Sequence, residues 1–337
     1  MRDVAGRAGV SVKTVSRVVN GEPHIRPETR QLVHAAITEL AWVPNAAART
    51  LRTGRTGVVA IAVTELRRPA LALITEALVR EVDGHGLHAA VEPTHDDPAR
   101  IEDILARIGR TFDGVLMVRP PELAVPLPDD VALVVVDGSP GAALGEGVSV
   151  EGSGTDEMAA FDRVSCDLEE IAALITRHLA VMSRHRPVLI GHPRAAEHVL
   201  RQRLRGAGLD PDAPMVPINP ANARSGGYQA AQRVLAECGA TDALVCADDE
   251  IAMGALSGLA HAGISVPDRV AVIGCGNLDD GQFSTPSLTT VDLGVERMAR
   301  TAADLLVARL AGGPPQPPVT CPVALVRRES TLGGNQQ

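Results

Sequence analysis

The stretch DVAGRAGVSVKTVSRVVNG, residues 3–21, decides how the front of the chain folds. Its apolar positions Val4, Ala5, Ala8 and Val10, then Val15, Val18 and Val19, fall at helical spacing on either side of Gly9-Val10-Ser11. The spacing predicts two short helices joined by a turn. Gly9 takes a left-handed conformation at little cost, the Ser11 hydroxyl caps the second helix, and Asn20-Gly21 supplies its stop. Ala5 is small enough for the helices to cross closely, and Val15 and Val18 hold the second against the first. This is helix-turn-helix patterning. It places Val12, Lys13, Thr14, Ser16 and Arg17 at the start or on the open face of the second helix, the part that reads a major groove in such units. A helical hairpin with solvated charges is the plainer alternative.

Charge divides along the same line. Residues 1–56 hold nine Arg or Lys against four acids, a net +5, which leaves −14 of the total −9 for the rest of the chain. A basic head on an acidic body is expected when one end meets a polyanion and the other does not. Downstream, Pro27 opens a third helix whose predicted buried stripe is Leu32, Val33, Ala36, Ile37 and Leu40, with Trp42 closing the small core. Residues 45–52 read as a further short helix, too short to be stable alone.

At 337 residues the chain fits two or three domains. No apolar run approaches the ~18 residues of a membrane span, the longest clean one being 131–136, and no secretory signal is apparent, so the expected place is the cytoplasm. The five cysteines are scattered and never paired as C-x-x-C, which argues for buried thiols rather than disulfides or zinc.

DVAGRAGVSVKTVSRVVNG followed by WVPNAAARTLRTGRTGVVAIAV resembles the LacI family of bacterial transcription repressors, and the similarity continues over nearly the whole chain. The resemblance implies a homodimer on a palindromic double-stranded DNA operator. It implies that Val12, Lys13 and Arg17 read bases, and that residues 45–52 form a hinge helix in the minor groove. Matched onto PNxxAxxL, Leu51 is the wedge that kinks the duplex and Ala48 the small packing residue, with Asn45 and Arg52 in the same DNA-contacting segment. Arg26 departs from the pattern, standing where a Ser or Asp usually caps helix three.

From Gly57 onward, strand-like runs such as VVAIAV, DGVLMV, ALVVVD, PVLIGH, DALVCA and RVAVIG alternate with amphipathic helical stretches, as in parallel α/β sheets with right-handed crossovers. The family resemblance implies two Rossmann-like lobes of a periplasmic-binding-protein fold, joined by three crossovers. The expected organisation is a DNA-binding domain at 1–43, hinge and linker at 44–56, a core at 57–331 and a disordered tail at 332–337. By that analogy lobe one is about 57–163 plus 289–312, and lobe two about 164–288 plus 313–331. Residues 141–158 read as a mobile loop, and GGPPQPP (312–318) as a final crossover or linker. The family's body signature is carried by TDALVCADDEIAMGAL (241–256), GISVPDRVAVIGCGNLDD (263–280) and TPSLTTVD (285–292).

Enzyme readings fail on the residues. Gly274-Cys-Gly276-Asn-Leu-Asp279 lacks the last glycine of a dinucleotide loop, and no G-x-S-x-G or H-E-x-x-H occurs. Asp248-Asp249-Glu250 reads as helix-start carboxylates favoured by the macrodipole rather than as a metal cluster. No cofactor or metal is expected. The resemblance also places the family's sugar-holding groups. Its Arg falls on Ala196, its Gly-aromatic pair on Val199-Leu200, its Asn on Asp248, its aromatic-Asp-Asp on 275–277 and its ring-bearing shelf on 68–71, so most of those groups are missing. Polar candidates for an effector at the cleft mouth are Glu65, Arg67, Arg68, Asp137, Arg194, Asp248 and Asn277. The expectation is a non-sugar small-molecule effector contacting Asp248, or no small effector at all. A solute-binding receptor without DNA regulation is the rival reading, and a metabolic enzyme a distant third.

Overall fold

The computed structural model describes residues 1–19, 22–23, 25–42, 54–118, 131–137, 161–219 and 222–333. It divides into two compact units, Met1–Thr56 and Gly57–Gln337. The hinge expectation at 45–52, the loop expected at 141–158 and residues 334–337 of the tail lie outside the described residues.

In the first unit, α1 (Arg2–Ala8) ends at Gly9 with φ 67°, the left-handed turn expected of that glycine. Helix α2 (Val12–Val19) starts from Ser11, whose Oγ accepts the Thr14 N–H at 3.1 Å. Helix α3 (Pro27–Glu39) begins at Pro27, with Arg26 at its cap position making no side-chain capping bond. Val4, Ala5, Ala8, Val15, Val18, Val33 and Ala36 form the core, with Ile37 and Trp42 packed at its edge. Arg7 grips Glu39 through two nitrogens at 2.6 and 2.8 Å, tying α1 to the end of α3. The expected stripe of α3 was too wide. Leu32 is 55% exposed because it lies ~100° around the helix from Val33, and Leu40, 41% exposed, falls just past the last helical residue.

In the second unit, sequence periodicity becomes layers. Strand β1 (Val58–Val63) alternates its side chains. Val59, Ile61 and Val63 pack under α4 (Pro69–Gly84), whereas Ala60 and Ala62 face α5 (Pro98–Ala106) with Phe112 and Phe161. With β2 (His88–Pro93), β3 (Gly114–Val118), β4 (Leu133–Asp137), β5 (Asp162–Cys166) and the late β11 (Val319–Cys321), β1 builds a parallel sheet of order β11-β5-β4-β3-β1-β2. Helix α11 (Val295–Leu310) covers it beside α4, burying Met298, Ala299, Ala302 and Leu306.

The second sheet contains β6 (Pro187–Ile190), β7 (Met215–Val216), β8 (Ala243–Cys246), β9 (Ala271–Cys275), β10 (Thr289–Asp292) and β12 (Ala324–Val326), in the order β12-β10-β9-β8-β6-β7. Only β12 in this sheet runs antiparallel to its neighbour. Leu244 and Cys246 face α8 (Ala223–Glu237) and α9 (Asp249–His261), while Ala243 and Val245 face α6 (Leu168–Val181) and α7 (Arg194–Gly206). Helices α8 and α9 touch backbone to backbone: a Cβ on Gly254 would collide with the carbonyl oxygen of Arg224. Short α10 (Asp279–Gln282) and α12 (Glu329–Leu332) finish this lobe.

The lobe boundaries differ from those expected. Residues 164–166 belong to the first sheet as part of β5, and residues 289–292 to the second as β10. Residues 319–321 return to the first sheet as β11, so GGPPQPP joins α11 to β11 within one lobe and is no crossover. The chain passes between lobes just after Cys166, between Asp292 and Val295, and between Cys321 and Ala324. Short strands with mixed burial hide these boundaries from a reading of apolar runs.

Candidate nucleic-acid interface and interlobe cleft

On α2, Val12 is 43% exposed, Lys13 is exposed, and Thr14, Ser16 and Arg17 are half-buried. The five expected groove-facing residues therefore share the first two turns of one capped helix. Thr14 has a second task, since its hydroxyl lies 2.9 Å from that of Ser11 in the cap. Arg17 donates its Nε to the Glu22 carboxylate at 2.8 Å, a partner the sequence reading missed. Asn45, Ala48, Leu51 and Arg52 lie outside the described residues.

In each sheet of the second unit, consecutive connections leave in opposite directions from between β1 and β3, and from between β6 and β8. Ligands of such sheets bind at the carboxyl ends of the strands beside this reversal. Those ends carry residues 64–68 in one lobe and residues 191–194 and 247–250 in the other. Arg68, just before α4, reaches across the cleft. Its Nη2 donates to Asp248 Oδ2 at 3.0 Å and its Nε to Glu250 Oε2 at 3.3 Å. These three side chains are 13%, 20% and 12% exposed, so the bridge is mostly shielded from water. Arg224 adds contacts to Glu250 at 3.5 Å and Asp280 at 3.0 Å. Glu65 pairs with Arg67 at 2.6 Å. A cavity of about 350 Å³ lies among Glu65, Arg67, Arg68, Arg224, Ser225 and Glu250.

The expected effector residues are thus only partly assembled. Glu65 and Arg68 line the cavity, and Asp248 joins through Arg68, but Arg194, Asp137 and Asn277 do not line it. Asp248 is already occupied: Oδ1 accepts the Ile251 N–H at 2.8 Å as the cap of α9, and Oδ2 holds Arg68. Asn277 is tied by its Oδ1 to Arg328 at 2.9 Å and by its Nδ2 to Asp292 at 3.3 Å. Glu250, Arg224 and Asp280 were not singled out from sequence as effector candidates. Their charges became informative only once the fold brought them to Arg68.

Behind the cleft, Asp249 is fully buried and does more than favour a helix start. Thr290 Oγ1 donates to it at 2.6 Å and the Leu278 N–H at 2.7 Å. Burial nevertheless pushes its carboxyl up to about 6. Gly274 leaves it room, because a Cβ there would collide with Oδ1. His192, also buried, is held down to about 4 by desolvation, with Nε2 at 3.1 Å from the Val245 carbonyl. Among the described residues no group of three or more His, Cys, Asp or Glu is placed to hold a metal ion, and no helix is long and apolar enough to cross a membrane.

The family model described as bacterial regulatory proteins, lacI family, matches residues 1–45, and that of a periplasmic binding protein-like domain matches residues 169–331. A solved structure of a LacI-family regulator from Sanguibacter keddieii DSM 10542 is 33% identical, with a TM-score of 0.69 over 83% of this chain and 100% of that one. The chain belongs to the LacI family. Within that family it is 28% identical to the transcriptional repressor PurR of Erwinia tasmaniensis over 322 residues, 92% of this chain and 90% of the relative. The lac repressor dimer bound to operator shares its fold, with a TM-score of 0.75 at 23% identity over 98% of each chain. Among the described residues of this LacI-family chain, none that lines the cleft cavity carries an aromatic ring. Phe112 and Phe161 are buried in the core of the first lobe, Phe283 is 79% exposed, Tyr228 stacks edge-on with His261, and Trp42 lies in the head.

Proposed function

We propose that this chain is a transcriptional repressor that binds a palindromic operator as a homodimer, in the cytoplasm. The observation that carries the reading is the capped α2, which presents Val12, Lys13, Thr14, Ser16 and Arg17 from a head of net charge +5. An arginine fork suits the O6 and N7 acceptors of guanine, and the surrounding cations supply the salt-dependent attraction to phosphates. Asn45, Ala48, Leu51 and Arg52 form the hinge that opens the minor groove in this reading, Leu51 being the wedge. Support comes from relatives that are named repressors and from the fold shared with an operator-bound dimer.

The cleft is the regulatory element, opened and closed by whatever binds one lobe arrangement better than the other. Its effector is a non-sugar polar molecule, or closure proceeds on the protein's own Arg68 bridge with no small ligand. The missing rings and the occupied Asp248 favour this over a saccharide. The test is an electrophoretic shift with DNA from upstream of the chain's own gene. The parent should bind a symmetric site, and Arg17→Ala should lose about 1–3 kcal/mol there and relax preference at one symmetric base pair. Equal binding of parent protein to shuffled DNA would overturn the reading.

A further inference from the structure

We infer that Glu22 is a specificity-determining residue that positions Arg17 for base reading. The inference rests on the DNA-binding function proposed above and concerns how that surface discriminates. Of the four acids in the head, three are accounted for. Asp3 and Glu28 occupy the first turns of α1 and α3, and Glu39 binds Arg7. Glu22 alone is joined to the second helix, and at two points: its N–H donates to the Arg17 carbonyl at 3.0 Å, and its carboxylate accepts Arg17 Nε at 2.8 Å. The main-chain bond fixes the residue, so the carboxylate approaches the guanidinium from one side.

That side matters chemically. A guanidinium can meet a two-acceptor face either through Nε and one terminal nitrogen, or end-on through both terminal nitrogens. Glu22 occupies Nε and leaves the end-on edge for the O6 and N7 of guanine. It also repels phosphate, the competing destination of a flexible arginine, and so lowers affinity for DNA in general while favouring the base contact. Both side chains are nearly half exposed in the free protein, 42% and 46%, so the pair is weak before binding and gains as water leaves the groove.

Full-length parent, Glu22→Gln, Arg17→Ala and the double variant would each be used to select sites from a random duplex library, and measured on the selected and a scrambled site over a salt series. Glu22→Gln should melt with the parent, bind scrambled DNA more tightly, and lose about fivefold in discrimination at the Arg17 base pair. In the Arg17→Ala background, the same change should still tighten binding to scrambled DNA without altering base preference. If the parent selects a sequence and Glu22→Gln selects it with undiminished discrimination, Glu22 has no positioning role and the inference alone fails. A parent that selects nothing overturns the DNA-binding reading and this inference together.

Discussion

Replacing Arg68 by methionine keeps the stem and removes the charge that joins the two lobes. In the parent the guanidinium meets Asp248 at 3.0 Å and Glu250 at 3.3 Å, with all three side chains at most one-fifth exposed. Removing one partner of a fully buried pair costs about 3–5 kcal/mol because a charge is stranded. Two features reduce that figure here: water still reaches Asp248, and Glu250 retains Arg224 at 3.5 Å. A loss of about 2–3 kcal/mol is therefore expected. Each lobe keeps its own core on both faces of its sheet, so the loss falls on lobe closure rather than on folding. The closed-to-open ratio should drop roughly 30- to 150-fold. Spin labels at exposed Glu102 and Arg205, in a Cys238→Ser background, report the interlobe distance by electron–electron resonance. Arg68→Met should lengthen and broaden the distribution with little change in melting temperature. Asp248→Asn, which can still cap α9 through its amide oxygen, should do so less. An unchanged distribution in Arg68→Met would refute the bridge as what holds the lobes closed.

Three further outcomes follow from the second lobe and its cleft. Gly254→Ala gains about 1 kcal/mol of helix propensity but forces a methyl against the Arg224 carbonyl, so it should lower the melting temperature. Gly206→Ala, at the end of α7 with nothing within 4 Å of its new methyl, should not; equal melting of the two variants would count against the close α8–α9 approach. Asp249 titrates near 6 in the fold against 3.8 unfolded, so the folded state holds the proton between those values and stability falls as pH rises through them. His192 titrates near 4 against 6.5 unfolded, so its contribution falls as pH drops through that window, opposing Asp249. Relative to the parent, Asp249→Asn should lose about 1–3 kcal/mol on acidification from pH ~6 to ~4, and His192→Asn should gain. Urea midpoints that run parallel to the parent's in both variants would refute these assignments. Calorimetry with common mono- and disaccharides should detect no binding, and micromolar binding of any of them would overturn the non-sugar reading of the cleft.

How much was legible depended on how local the signal was. The turn at Gly9, the Ser11 cap and the Val15/Val18 contact are set within a few residues, and they stand in the structure as the spacing predicts. The long apolar strands were equally plain, because a strand covered on both faces needs consecutive apolar residues. DRVSC, VTC and ALV were not, since strands of three to five residues make no apolar run, DRVSC even placing charged Asp162 at a buried position, and on them hung the lobe boundaries. At the cleft, Arg68 and Asp248 could be nominated separately from sequence. Their pairing could not, because 180 residues separate them and they stand at the strand ends of two different sheets. Glu22 escaped notice because its meaning lies in which edge of Arg17 it occupies.

The three passages between lobes also set an order of completion during synthesis. The second lobe is almost continuous, running from α6 to β10, and lacks only β12 and α12 when Asp292 has been made. The first lobe begins earlier yet waits longer. Until α11 and β11 emerge, Leu71, Leu78, Val134 and Val136 have no Met298, Ala302 or Leu306 to cover them, and β5 has an open edge. The lobe that follows the DNA-binding head is thus begun first yet further from complete once β10 is made, and a nascent chain stopped near residue 293 would carry a second lobe short of only β12 and α12 beside a first lobe that has α4 but not α11 on one face of its sheet.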